Sequence, residues 1–598
     1  MGRNGNEIQH LIHQPGLNVS LTPIHQIASI CQQKNLSQVV ICPGSRCAPL
    51  TLSFVRQPGM TVRTFSDERS AGFIALGIAR QTKHAAALVC TSGTAVYNFA
   101  PAVAEAFFSE VPLVIFTADR PREWIAQHDG QTIFQSGIFG KHVKKSYDLP
   151  QEYAHADDRW AVVRMVNEAI NLSMEAPAGP VHINIPLREP LYPGQQEAEQ
   201  TVAPARLVKT LDAVPELTPA AQAEVLRRWD DFHHILVVAG QHDHDPELVK
   251  RMDSLSYGMN IPIVAEVTGN FHGAERTIRY ADAFLGGATE DLKKSLQPDL
   301  LVTFGRGIVS KHLKQFLRRF PAKDHWHIQA AGAVADTFQQ LSMVLRTTPA
   351  RFFEILSGRE VKGTFEDQKQ QNYFNLWEIE ERRTRSSLEA WFARPDTNEL
   401  SLVQKVINSL PSQVNLHLAN SLSVRYANFV GIPADRTDVT VYANRGTSGI
   451  DGCNSTAVGH ALSGNEMNVL ITGDVAFFYD RNAFWHNYPM PNLRVLVLNN
   501  HGGAIFKVVE GAEDLPESDE YFVTRQKLNA KNLCQEFGFE YIRLDNKSSD
   551  NHRKLANALK NFFDDDGTTK ILELETSALN ARDVLKELRQ HINKRYDQ

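Results

Sequence analysis

Short apolar runs recur along this chain, with room for a helix between each and the next. The first stretch carries Val39–Cys42, Ala85–Cys90, Pro112–Thr117 and Val181–Ile185. The second carries Ile235–Ala239, Ile263–Val267 and Leu300–Phe304, and the third Val414–Leu418, Val439–Ala443, Val469–Thr472, Val495–Leu498 and Ile571–Leu574. These runs are near-continuous rather than alternating. That pattern predicts strands buried on both faces, in parallel sheets with helical crossovers. A polar, proline-bearing connector follows the first stretch, from about Pro190 to Pro219. Gly363–Thr384 is charged and helix-prone, without a strand signal, and reads as a linker with a helix leading into the third stretch. The prediction is three α/β domains, each a doubly wound parallel sheet, over residues 1–195, 205–360 and 375–598. No short repeat of fixed period is present, which argues against a solenoid.

Composition narrows the class. A chain of 598 residues is too long for one core. With 42% hydrophobic and 22% charged residues it has the make-up of an ordinary globular protein. Sixty-two basic residues against 68 acidic ones leave a net charge of −6, which argues against a general nucleic-acid partner. The six cysteines form no CxxC pair and do not read as a disulfide framework. The opening Met-Gly-Arg-Asn-Gly-Asn-Glu lacks the apolar core of a signal peptide, and no run of about 18 apolar residues could span a membrane. The expectation is a reduced, cytoplasmic protein with no membrane span.

Chemistry concentrates where apolar runs end. One run ends at Gly473-Asp474 and the next at Asn499-Asn500, with Asp474 and Asn500 26 positions apart. Parallel strands joined by a helical crossover put both polar ends on one sheet edge. A carboxylate, an amide oxygen and the Gly-rich backbone of Asn499-Asn500-His501-Gly502-Gly503 would converge there. Such a hard-oxygen site suits Mg²⁺ holding a diphosphate. The plain alternative is two buried strands with polar ends.

Six segments in order carry a family resemblance: Ile41–Leu52, Asp67–Gly72, Cys90–Ala95, Thr117–Pro121, Asn444–Gly452, and Gly473-Asp474 with Asn499–Phe506. Together they resemble the thiamine-diphosphate-dependent enzyme superfamily and, within it, the 2-succinyl-5-enolpyruvyl-6-hydroxy-3-cyclohexene-1-carboxylate synthases of menaquinone biosynthesis. The resemblance spans the first and third stretches and is weak in the middle. It implies thiamine diphosphate and Mg²⁺, or Mn²⁺ in its place, held by Asp474, the Asn500 side chain and the Gly502 carbonyl, with Gly473 beside them. Glu68 follows an apparent strand, Thr61–Phe65, and on local sequence alone reads first as a helix-start acid favoured by the macrodipole; the resemblance reverses this, since Glu68 falls on the position of the family's cofactor-activating glutamate, which bonds the aminopyrimidine. Ile450 would support the bent cofactor, and Ile505 and Phe506 would line the wall; each could instead be plain core. His501 is read as a loop residue, not a ligand.

Arginines at the carboxyl ends of strands face the usual ligand crevice, and their forks bind carboxylates bidentately. Arg46, Arg120 and Arg445 follow strands, and Arg425 lies in Asn420–Arg425. The resemblance implies two dicarboxylate substrates, 2-oxoglutarate and isochorismate, with Ser45, Gln131 and Ser421 assisting. The family's basic pair in the middle domain falls on Lys311-His312, where His312 replaces a common Arg and weakens any bidentate contact. The implied reaction is a transferase step. It decarboxylates 2-oxoglutarate, adds the resulting succinyl-semialdehyde carbanion equivalent 1,4 to isochorismate, and occurs in a homodimer or homotetramer with sites at the subunit interface. An acetolactate-synthase-like or simple 2-oxoacid decarboxylase is the first alternative, and a non-catalytic protein on the same fold the second. The loop Gln241-His-Asp-His-Asp245 has metal-ligand residue types but reads as an exposed loop after a strand. Gly305-Arg306-Gly307 lacks the third glycine of a dinucleotide fingerprint.

Overall fold

The computed structural model describes residues 21–192, 205–211, 213–358, 368–395, 397–509, 511–513, 515–545 and 551–596. Among them are eighteen strands in three sheets of six, and every pairing is parallel. The first sheet holds β1 (Gln38–Ile41), β2 (Thr61–Thr64), β3 (Ala86–Cys90), β4 (Leu113–Asp119), β5 (Ser146–Asp148) and β6 (Val181–Pro186), in the order β2-β1-β3-β4-β6-β5. The second holds β7 (Ile235–Ala239), β8 (Ile263–Ala265), β9 (Thr277–Ile278), β10 (Leu300–Phe304), β11 (Asp324–Ile328) and β12 (Met343–Leu345), in the order β12-β11-β10-β7-β8-β9. The third holds β13 (Val414–Leu418), β14 (Val439–Tyr442), β15 (Met467–Gly473), β16 (Leu493–Asn499), β17 (Glu540–Asp545) and β18 (Lys570–Glu575). Its order, β14-β13-β15-β16-β18-β17, repeats that of the first. The chain reverses its winding between β1 and β3, between β7 and β10, and between β13 and β15. These are the switch points where α/β sheets open a crevice at the carboxyl ends of their strands.

The central strands β3, β4, β7, β10 and β13 are buried along their whole length, because helices cover both faces. The first and third sheets are clamped together by the helices Glu68–Thr82 and Cys453–Ala461. Gly77 and Gly459 meet at the crossing. A Cβ on Gly77 would lie 2.2 Å from the Thr456 carbonyl oxygen, and one on Gly459 2.2 Å from that of Ile74. The helix Gln368–Phe392 contributes Tyr373 and Trp377 to the middle core, and Leu388 and Trp391 to the third. All six cysteines are buried and unpaired. No described helix is long and apolar enough to cross a membrane.

The Gln241–Asp245 loop does follow β7, but it is not simply exposed. Gln241 is buried and donates Nε2 to the Ala443 carbonyl (2.9 Å), Asp243 pairs with Arg306 (3.1 Å), and Asp245 caps the helix Pro246–Met259. The loop is a joint between the middle and third sheets.

Candidate active site

The oxygen-rich end lies where β15 and β16 stop side by side, with Gly473 in register with Leu498. Asp474 opens the helix Asp474–Tyr479 and is buried. Its Oδ2 accepts from Gln526 Nε2 (2.6 Å). Burial pushes its carboxyl up to about 7; the Gln526 and Gly502 N–H donors pull the other way, and the nearby Glu399 adds to the rise. Asn500 donates Nδ2 to Glu399 Oε1 (3.1 Å), and among the described residues its buried Oδ1 has no partner. Gly502 has φ +155, and a Cβ there would lie 2.6 Å from the Val523 carbonyl oxygen. Only glycine lets the chain turn so tightly against the end of the helical turn Ser518–Val523. A buried carboxylate, an amide oxygen aimed at no protein donor and a backbone turn fit a hard cation with diphosphate oxygens completing its shell. Among the described residues no group of three or more His, Cys, Asp or Glu could hold a metal. A cation held here would rely on mixed oxygen types rather than on a cluster of acids.

Two residues of this end escaped the sequence reading. Glu399, on the helix Glu399–Asn408, accepts from Asn500, from Thr576 Oγ1 (2.5 Å) and from Tyr426 Oη (2.9 Å), and so orients the Asn500 amide. Gln526 bridges Asp474 and Asn499 Oδ1 (3.2 Å). Neither sits in a strand-end motif, so no local signal marks them. His501 is a loop residue at φ 62, its N–H donated to Asn499 Oδ1 (3.2 Å). Ile505 and Phe506 occupy the short turn Ala504–Lys507. Phe506 is 37% exposed and lies against Phe522, ring centroids 5.8 Å apart. Ile450, half-buried, sits in the loop between β14 and the helix Cys453–Ala461.

At the first sheet, Glu68 follows β2 and opens its helix, which Asp67 caps by accepting from Ser70 N (3.1 Å). Among the described residues Glu68 makes no hydrogen bond or ion pair, which leaves its carboxylate open to a ligand. Its charge bears on the thiols of Cys42 and Cys90, which burial foremost, and Glu68 in part, hold well above the usual range. Thr91 Oγ1 and Ser92 Oγ, in the loop after β3, are buried and have no partner among the described residues. Nearby stand two of the expected cations. Arg46 is buried and donates to the Leu187 carbonyl (3.0 Å) and to Glu189 (3.1 Å). Arg120 donates to the Gly130 carbonyl (2.8 Å) and pairs with Asp129 (3.3 Å) and with the same Glu189 (4.0 Å). Ser45 and Gln131 are exposed; Gln131, at φ 57, packs over Gly93.

The second cationic group lies between the middle and third sheets. Arg445 donates Nη1 to Asn420 Oδ1 (2.8 Å), and Asn420 Nδ2 ties down the carbonyls of Asn444 (2.7 Å) and Gly449 (2.6 Å). Arg425 donates to the carbonyl of Ser421, a residue held at φ 73. Burial, and then the mutual repulsion of Arg425, lowers the pKa of Arg445. Facing them is Glu266, buried after β8, with its carboxyl pushed up to about 7 by burial against two backbone donors, Val309 and Ser310. Lys311 is exposed on the helix Lys311–Arg319. His312 turns its ring against Gly286, where a Cβ would lie 3.2 Å from Cδ2 and Nε2, and burial lowers its pKa. Lys314 and Glu266 are further residues the sequence reading missed. Among the described residues, no hydrogen bond or ion pair joins the Arg46–Arg120 group to the Arg425–Arg445 group.

Comparison with known proteins identifies the family. Residues 22–138 match the family described as "Thiamine pyrophosphate enzyme, N-terminal TPP binding domain", and residues 212–418 the "Middle domain of thiamine pyrophosphate". The chain is 41% identical to the 2-succinyl-5-enolpyruvyl-6-hydroxy-3-cyclohexene-1-carboxylate synthase of Cytophaga hutchinsonii over 574 residues, covering 96% of this chain and 99% of that protein. It is 36% identical to the synthase of the same name from Bacteroides thetaiotaomicron (94% and 97% covered), and 37% identical to that from Flavobacterium psychrophilum (86% and 90%). The chain belongs to this synthase family. It is thus a thiamine-diphosphate-dependent enzyme, and the three parallel sheets are the three α/β domains of that class. The weak resemblance seen at the middle of the sequence is accounted for by the same match: the middle sheet carries the family's domain although its motifs are diffuse.

Proposed function

We propose that this synthase-family member joins 2-oxoglutarate to isochorismate with loss of CO₂, yielding 2-succinyl-5-enolpyruvyl-6-hydroxy-3-cyclohexene-1-carboxylate for menaquinone biosynthesis. The observation that carries the reading is the coexistence, at the strand ends of one sheet, of an oxygen-lined anchor and under-bonded arginines. Asp474, the Asn500 amide oxygen and the Gly502 carbonyl would hold Mg²⁺ or Mn²⁺ and, through it, a diphosphate. Thiamine diphosphate, when bound, supplies the carbon nucleophile and the electron sink for decarboxylation and carboligation. Glu68 keeps a proton at the aminopyrimidine, for which its unpaired carboxylate is suited. Ile450 supports the cofactor, and Ile505 and Phe506 wall off water from one side. Arg46 and Arg120 with Ser45 and Gln131, and Arg425 and Arg445 with Ser421 and Lys311, orient the substrate carboxylates by forked, charge-assisted bonds.

Among the described residues no hydrogen bond or ion pair joins the two cationic groups, which supports a homodimer or homotetramer in which Glu68 and Arg46 of one subunit complete the site of another. The exposed Tyr97, Trp124 and Phe134 flank the Arg120 loop and offer apolar surface to such a neighbour. Six buried free thiols suit a reducing compartment, and a cytoplasmic location is proposed with them. The test is an assay with thiamine diphosphate, Mg²⁺, 2-oxoglutarate and isochorismate, with product identified by mass. Isochorismate loss requiring all four components is expected. Decarboxylation that leaves isochorismate untouched would refute the acceptor.

A further inference from the structure

Lys314 stands apart among the cations of the second group. The first turn of its helix is fixed from outside: Val309 and Ser310 donate their N–H groups to the two oxygens of Glu266 (2.5 Å each), while Ser310 Oγ and the His312 N–H (2.9 Å) both donate to Asp282 Oδ1. One turn beyond the exposed Lys311, Lys314 is half-buried. Its ammonium feels Glu266, Arg445, Arg318 and Arg425. Among the described residues it makes no hydrogen bond or ion pair, although an ammonium carries three donors. Arg425 and Arg445 each bond one backbone or amide oxygen and leave most of their forks open. Glu266, Asp282 beside Arg425 and Glu105 beside Arg445 offset part of this charge, but three partly desolvated cations with open donors are costly unless a further anion joins them.

We propose that Lys314 is a substrate-binding residue whose ammonium joins Arg425 and Arg445 in holding a carboxylate of a dicarboxylate substrate, and so supplies the positive charge that His312, turned toward Gly286, does not. The inference rests on the proposed synthase reading for the identity of the substrates. A terminal carboxylate of 2-oxoglutarate and one of isochorismate present the same chemistry to these cations.

The test uses full-length Lys314→Met and Lys314→Arg, loaded with thiamine diphosphate and Mg²⁺. Lys314→Met should raise KM for one substrate about tenfold, the equivalent of about 1.4 kcal/mol, with kcat and cofactor affinity held. Lys314→Arg should restore most of the loss. An effect confined to 2-oxoglutarate places the donor's carboxylate here, and one confined to isochorismate the acceptor's. Unchanged KM for both, or a fall in thermal stability without a KM change, overturns the proposal. Calorimetric titration of the same proteins with succinate needs no turnover. If wild type turns over neither substrate, weaker succinate binding by Lys314→Met supports the carboxylate site while the synthase reading fails; equal binding overturns the site.

Discussion

Arg445→Ala separates a substrate-binding arginine from a structural one, because the structure predicts a large loss of function with little change in stability. Among the described residues the guanidinium makes a single hydrogen bond, to Asn420 Oδ1 (2.8 Å). Burial and the charge of Arg425 both lower its pKa, so the folded chain is a poorer home for this cation than water is. Removing it relieves that cost and strands one amide oxygen, a loss of about 1 kcal/mol. Asn420 keeps its bonds to the Asn444 and Gly449 carbonyls, so the loop holds its shape. The net expectation is a melting temperature within a few degrees of wild type. Function should move far more. A charge-assisted hydrogen bond to a carboxylate is worth about 1.5–3 kcal/mol, equivalent to roughly a 10- to 150-fold loss in kcat/KM for the substrate it holds. Steady-state kinetics in each substrate, with scanning fluorimetry and cofactor titration beside them, measure both arms. Arg445→Lys keeps the charge but loses the fork, and should fall between. A lowered melting temperature with unchanged kcat/KM for both substrates would refute the assignment and leave Arg445 as a brace for the Asn444–Gly449 loop.

Glu68→Gln should cut turnover by at least about 100-fold, the scale of one lost proton-transfer group, while calorimetry shows cofactor affinity kept; normal turnover would remove Glu68 from the chemistry. Asp474→Ala should abolish the Mg²⁺ dependence of thiamine-diphosphate binding, and a titration identical to wild type would sink the anchor. Glu266 makes a pH prediction. Its folded carboxyl, facing Asp282, Arg445 and Lys314 and bonded to two N–H groups, is raised from 4.5 to about 7. The folded chain therefore holds a proton that the unfolded chain releases. This contribution is fully present below about pH 4.5 and is lost as pH rises toward 7, on the order of 3 kcal/mol at 1.36 kcal/mol per pH unit. Glu266→Gln should flatten that slope, so the melting-temperature gap between variant and wild type should change between pH 5 and pH 8; a gap constant with pH contradicts it.

The fold was legible wherever strands are central. The runs at Ile235–Ala239, Leu300–Phe304 and Val414–Leu418 are strands over those same residues, since burial on both faces leaves only apolar positions. The strands that escaped were β5, β9, β12 and β17, all at sheet edges, and β11, whose Asp-His-Trp-His-Ile carries two histidines. There Thr303 Oγ1 bonds both His325 and His327 (2.8 Å each), so the polarity that hid the strand is satisfied by a cross-strand partner that no local window contains.

The same division governs the site. Asp474, Asn500 and Gly502 could be placed together at one sheet edge because two parallel strands must end there and a glycine must turn. Glu399 and Gln526 could not, because they orient those residues across long sequence separations and carry no motif of their own. His312 and Lys314 show the harder case. A site reads charge by position in space rather than by place in a motif, so a cation lost at one helical position can be supplied from another position on the same helix. At Lys311–Arg319 the departure at His312 was visible in the sequence. That Lys314 faces Arg425 and Arg445 while Lys311 stays exposed follows only from how Glu266 and Asp282 pin the first turn of the helix.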